Sequence, residues 1–238
     1  KLADLIKHEL ERLPHVKLLF STRLESVVQT GDKVTAMVNT EGESHPIEAD
    51  YMIGADGAWS ATRRTLGIDF EGLTYPERFL VISTDFDYAS HLPRLSYVNY
   101  CSDPQEWCVL LRVPTLWRVL FPTKAQESDE EVMTDEAVQA RLQSLLPQPQ
   151  PYNTLHRTLY KVHQRVAKTF IQGRIFLAGD AAHINNPLGG MGMNGGVHDA
   201  MNLTQKLLHG ALAELRAADP THREQTMQAV QRLFLRQG

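Results

Sequence analysis

Two stretches of this chain carry chemically capable residues at short spacing. The first reads Gly54-Ala55-Asp56-Gly57-Ala58-Trp59-Ser60-Ala61-Thr62-Arg63-Arg64 and puts a glycine turn, a serine and two arginines between an apolar run and a short helix. A helix N-terminus offers unpaired N–H groups and arginine adds a forked cation, so the ligand such a turn suits is a pyrophosphate. An ordinary strand-to-helix turn, with Asp56 as turn residue and the arginines in water, uses the same residues.

The second stretch runs from Gly179-Asp180-Ala181-Ala182-His183 through Pro187-Leu188-Gly189-Gly190-Met191-Gly192-Met193-Asn194-Gly195-Gly196. Glycines massed at a helix entrance carry an entropy cost, and they let a planar or anionic ligand touch the backbone. Asp180, at the carboxyl end of an apolar strand, is placed to accept hydrogen bonds from sugar or polyol hydroxyls. The N–H groups around Met193 and Asn194 favour negative charge. Gly190-x-Gly192-x-x-Gly195 matches a dinucleotide fingerprint by letter, but its preceding strand ends at Ala178 and no strand is expected after the helix. A nicotinamide Rossmann reading is therefore set aside. His183 reads as a capping residue or as a base beside a ligand. No metal-ligand spacing, carboxylate pair or Ser-His-Asp order stands out.

The elements that must position these clusters follow from periodicity. Leu2, Leu5, Ile6 and Leu10 make an apolar stripe on a helix, Val16 to Phe20 reads as a strand, and residues 24–28, 33–39 and 44–47 read as a meander. Tyr51 to Gly54 reads as a buried strand and Ser60 to Gly67 as a helix stopped by glycine. Residues 79–121 predict a separate antiparallel sheet. Ser128 with Glu131 predicts a capping box before a helix over 134–146, and Pro147-Gln148-Pro149-Gln150-Pro151 is the linker candidate. Arg174 to Ala178 reads as a buried strand. The helix beginning near Met193 carries Val197, Met201, Leu203, Leu207, Leu208, Leu212 and Leu215 on one face.

The chain has 238 residues, 42% of them hydrophobic, which suits one large domain or two small ones. A net charge of −4 without a long block of like charge argues against nucleic acid as a partner. Cys101 and Cys108 are too few for a disulfide framework and lack C-x-x-C spacing, so a reduced, cytoplasmic protein is expected. No run is apolar enough for a transmembrane segment. The first residues already lie in mid-helix, so further residues are expected upstream.

The two motifs, in this order, resemble the class A flavoprotein monooxygenases, aromatic hydroxylases of the para-hydroxybenzoate hydroxylase type. Asp56, Gly57, Ser60 and Arg63 occupy the positions of the family's Asp-Gly motif, which contacts FAD and the NADPH pyrophosphate. Gly179 and Asp180 occupy its Gly-Asp motif, where the aspartate binds the FAD ribityl chain. Pro187 would border the flavin, and Gly189, Gly190, Gly192, Met193 and Asn194 would line it. Asp199-Ala200 and Asn202-Leu203 continue the match.

The resemblance implies a mixed α/β fold: a discontinuous FAD-binding domain over 1–75 and 155–220, a substrate-binding sheet domain over 76–154, and a C-terminal helical tail over 221–238. The family's Gly-rich βαβ unit is expected before Lys1, and without it the chain alone is expected to be inactive. The tail lacks the Tyr and Arg-Arg-Pro stretch common after this helix. The implied activity is NADPH- or NADH-dependent hydroxylation of a small phenolic substrate by O₂ through a flavin C4a-hydroperoxide, in a homodimer. Arg112 is the candidate for pairing with a substrate carboxylate. A halogenase or reductase of the same fold, or an FAD-free interaction domain, are the alternatives.

Overall fold

The computed structural model describes residues 2–104, 106–186 and 190–217, and divides into one unit of Lys1–Glu71 with Arg165–Gly238 and a second of Gly72–Gln164. The tail expected over 221–238 lies outside the described residues.

In the first unit, helix α1 (Leu2–Glu11) leads to an antiparallel meander of β1 (Thr22–Thr30), β2 (Lys33–Thr40) and β3 (Glu43–Ala49). A second small sheet pairs β4 (Met52–Gly54) in parallel with β11 (Ile175–Leu177), which in turn takes β10 (Ile171–Gln172) antiparallel. Helix α2 (Ala61–Thr65) follows β4, and helix α5 (Met191–Ala217) follows the two-residue strand β12 (His183–Ile184). Val27 and Val34 of the meander pack with Ile175 of β11, against Met52 and Leu66. A second cluster gathers Ala167, Leu177, Ala181 and Ala182 against Ile68 and Phe70, under the second motif.

Residues 16–20 form no strand: Ser21 takes a left-handed φ of 53°, β1 starts after it, and Leu19 and Phe20 are exposed. A strand needs a partner row of backbone groups, and none of the described strands pairs with these residues. The Tyr51–Gly54 strand is covered on one side only, since Ile53 is exposed. On α1, Leu2, Leu5 and Ile6 of the stripe are exposed, Leu10 is half-buried, and the helix fully buries no residue. Along α5, which begins at Met191 rather than Met193, Val197 and Met201 are exposed while Leu203, Leu207 and Leu208 are half-buried. The side chains of Leu212 and Leu215 lie outside the described residues.

The second unit carries an antiparallel sheet in the order β9 (Thr154–Ala167), β5 (Phe70–Thr84), β8 (Leu116–Thr123), β7 (Cys108–Val113), β6 (Val98–Cys101), with the ends of β5 and β9 falling in the first unit. One face packs Leu80, Ile82, Leu110, Val119 and Phe121 against Val132 of α3 (Asp129–Val132) and Val138 and Leu142 of α4 (Asp135–Leu145). Tyr88, Trp117 and Tyr152 fill the same core. The expected capping box forms: Ser128 Oγ accepts the Glu131 N–H at 3.1 Å and Glu131 Oε2 accepts the Ser128 N–H at 2.9 Å.

The Pro/Gln tract is not a linker between units. Gln139 of α4 grips Tyr152 by its backbone N–H and carbonyl, both at 2.8 Å, and Gln143 accepts from Gln148 and donates to Gln150. Those amides satisfy a proline-poor-in-donors segment and fold it back on α4.

Candidate cofactor site

The first motif is built around helix α2. Ser60, fully buried, caps it by accepting the Arg63 N–H at 2.9 Å, and Asp56 Oδ2 accepts the backbone N–H of Thr62 at 2.9 Å and its hydroxyl at 3.0 Å. Burial pushes the Asp56 carboxyl up, but hydrogen bonds from Ser60 and Thr62 outweigh it and hold the group below its ordinary value. Gly54 lies so close beneath that an added Cβ would stand 2.7 Å from the Thr62 Cβ. Gly57 turns the chain at a φ of 78°.

Arg63 does not stand in solvent. It is 5% exposed, its Nη2 donates to the Ala58 carbonyl at 2.7 Å, its Nη1 donates to the Ala181 carbonyl at 2.8 Å, and its guanidinium stacks 3.7 Å from the Phe70 ring centroid. Burial lowers its pKa, with Asp56 opposing. The side chain therefore binds the two motifs to one another, and only Arg64 of the pair is exposed.

In the second motif β11 delivers Gly179, at a φ of 60°, into one turn of 3-10 helix, with Ala181 and Ala182 buried and Asp180 exposed. Gly190 and Gly192 border open space: a Cβ on either would meet nothing within 4 Å. Asn194 folds its amide back onto the Gly190 carbonyl at 3.0 Å, and the Met193 side chain is exposed beside it. Pro187 and Gly189 lie outside the described residues.

Thr62 carries no expected role in the sequence, whereas His183 is there a capping residue or a base beside a ligand and Asp199 a continuation of the family match. Asp199 accepts from both Gly179 and His183. The further signal for Asp199 is helical spacing, since it follows Gly195 by one turn of α5 and so shares its face. Arg112, proposed for a substrate carboxylate, sits in register opposite Trp117 on the sheet face that α3 and α4 cover, 5.8 Å from the Trp117 ring. Arg118 projects from the opposite face, being one position out of that register. Among the described residues no group of three or more His, Cys, Asp or Glu side chains could hold a metal ion.

The model of the FAD binding domain family matches residues 1–224. The chain belongs to that family. It is 36% identical over 211 residues to para-nitrophenol 4-monooxygenase of Pseudomonas sp. (strain WBC-3), covering 87% of this chain and 51% of that protein. It is also 36% identical over 211 residues to 3-(3-hydroxy-phenyl)propionate/3-hydroxycinnamic acid hydroxylase of Mycobacterium sp. (strain JLS), covering 88% of this chain and 36% of that one. The crystal structure of p-nitrophenol 4-monooxygenase from Pseudomonas putida DLL-E4 superposes with a TM-score of 0.78 at 32% identity, over 93% of this chain and 55% of that chain. Aklavinone-11 hydroxylase, solved with FAD and aklavinone, gives a TM-score of 0.67 at 28% identity, over 78% of this chain and 36% of that one. These relatives bear out the resemblance to the class A flavoprotein hydroxylases and the mixed α/β fold. The chain spans about half the length of the first of them, and about a third of the hydroxyphenylpropionate hydroxylase.

The residues present fit a flavin. Gly190 and Gly192 leave room for a ligand against the backbone, the exposed Asp180 carboxylate follows a strand end, and the first turn of α5 has N–H groups without a partner inside the helix. No helix among the described residues is long and apolar enough to cross a membrane.

Proposed function

We propose that the complete gene product is an FAD-dependent monooxygenase that uses NADPH or NADH and O₂ to hydroxylate a small phenolic ring. The observation that carries this reading is the bond pair of Arg63, which ties together two motifs lying 118 residues apart, beside glycines that border open space. The names of the relatives support a phenolic substrate class.

Bound there, FAD would supply the two-electron chemistry with dioxygen. The chain's own residues bind and orient. Asp180 would accept hydrogen bonds from hydroxyls of the sugar-alcohol chain, and Asp56 with Ser60, which fix the turn at Gly57, would offer its backbone N–H groups to a pyrophosphate. The start of α5, at Met191 to Asn194, would offer its partial positive charge to negative charge on a bound flavin ring. The first unit is then the cofactor domain, the sheet unit is the substrate domain, and the protein works in the cytoplasm as a homodimer.

The reading is tested by following NADPH and NADH oxidation by the complete gene product with a panel of phenols, para-nitrophenol and 3-(3-hydroxyphenyl)propionate first. Phenol-stimulated oxidation with labelled O₂ incorporated into the ring is the expected result. Oxidation that no phenol stimulates, with no oxygen reaching any ring, would overturn it.

A further inference from the structure

We propose that Asp199 is the positioning residue that fixes the Gly179 loop on helix α5, and so sets where Asp180 meets its ligand. The proposal rests on the reading of this loop as an FAD contact.

One carboxylate oxygen makes both bonds. Oδ2 of Asp199 accepts the N–H of Gly179 at 2.9 Å and a hydrogen bond from Nε2 of His183 at 2.8 Å. A carboxylate oxygen only accepts, so the pairing puts a hydrogen on Nε2 of His183 and defines how that ring is held. The ring also lies 6.0 Å from that of Phe170.

The two bonds grip the loop at both ends of Asp180-Ala181-Ala182. Within it, the Ala182 N–H closes on the Gly179 carbonyl at 2.8 Å, the Ala181 carbonyl takes Arg63, and the Ala182 carbonyl takes the Ala167 N–H at 2.7 Å. The turn is thus anchored through its backbone around Asp180, its exposed member. On the helix side, Gly195, Gly196 and Asp199 share a face, with Gly196 against Gly179 and Gly195 against the His183 ring. The glycines of this motif therefore divide by task. Gly190 and Gly192 border open space, whereas Gly195 and Gly196 receive the loop.

Asp199→Ala and Asp199→Asn separate this role from a general one. Alanine is the better helix former, so a loss in Asp199→Ala cannot come from a weakened α5. In the complete gene product loaded with FAD, Asp199→Ala is expected to release FAD about 10-fold faster, read by recovery of flavin fluorescence after dilution. Asp199→Asn, whose amide oxygen accepts the same two bonds, is expected to stay within about 3-fold of the parent. Hydrogen exchange followed by mass spectrometry is expected to accelerate over residues 179–186 in Asp199→Ala alone, with α2 and the sheet unit unchanged.

Unaltered FAD release together with unaltered exchange over 179–186 in Asp199→Ala overturns the proposal. If that variant does not fold, His183→Phe removes one of the two bonds and is expected to change both readouts in the same direction; no change in either overturns it equally. A parent protein that takes up no FAD overturns the reading beneath, and exchange over 179–186 still decides whether Asp199 holds the loop.

Discussion

Arg63 and Ala181 are joined by a 2.8 Å hydrogen bond across 118 residues of chain, and the same guanidinium holds the Ala58 carbonyl on its other side. The bond pair makes Arg63 the tie between the two glycine-containing motifs. Arg63→Met is expected to leave two carbonyls without their donor and to destabilise the first unit by about 2–4 kcal/mol, measured by denaturant unfolding. Arg63→Lys keeps the charge but not the fork, and is expected to recover less than half of that loss.

Asp56 holds α2 through Thr62, and its carboxyl lies below its ordinary value of 3.8 because hydrogen bonds from Ser60 and Thr62 outweigh the effect of burial. A carboxyl lowered in the folded state stabilises above its unfolded value, and that contribution disappears as pH falls below about 4 and passes the folded value. Denaturant unfolding of the parent is expected to weaken in that acid range more steeply than Asp56→Asn. At neutral pH, Asp56→Ala is expected to cost about 1 kcal/mol as a lost cap.

Gly54 has no room for a side chain, because a Cβ would stand 2.7 Å from both the Cβ and the Cγ2 of Thr62. Gly54→Ala is expected to destabilise by about 1–3 kcal/mol as overpacking between β4 and α2. Ile53→Ala, one residue before it and exposed, is expected to change stability by less than about 0.5 kcal/mol.

Cys108 is buried in β7 directly opposite Cys101 of β6, and burial together with the neighbouring Cys101 thiol pushes its pKa up to about 12. Almost none of it is thiolate at neutral pH. A thiol-specific disulfide reagent is expected to modify Cys101 first, with Cys108 reacting only after unfolding.

Much of this architecture was legible because it is local. The meander, the Ser128 capping box and the strand-turn-helix at Gly54 to Gly67 all depend on residues within a few positions of one another. Long-range partners were not legible. Nothing near Arg63 in sequence announces that Ala181 will accept its hydrogen bond, so a buried tie read as a free cation. Residues 16–20 have the composition of a strand, yet a strand is completed by its neighbour and none of the described strands pairs with them. In the Pro/Gln tract the prolines suggested a linker. The glutamines of α4 that grip it could be recognised only once the helix was in place. The glycines after Gly189 looked equivalent, and their separation into two tasks depends on which of them face the loop at Gly179.

The central claim, that the two motifs form one flavin site, is tested most directly by the visible absorbance spectrum of the purified complete gene product, before and after added FAD and gel filtration. The account predicts protein-bound flavin bands in the parent, and their loss or marked weakening in Asp180→Ala that is otherwise folded. A folded parent that stays colourless after incubation with FAD would contradict it.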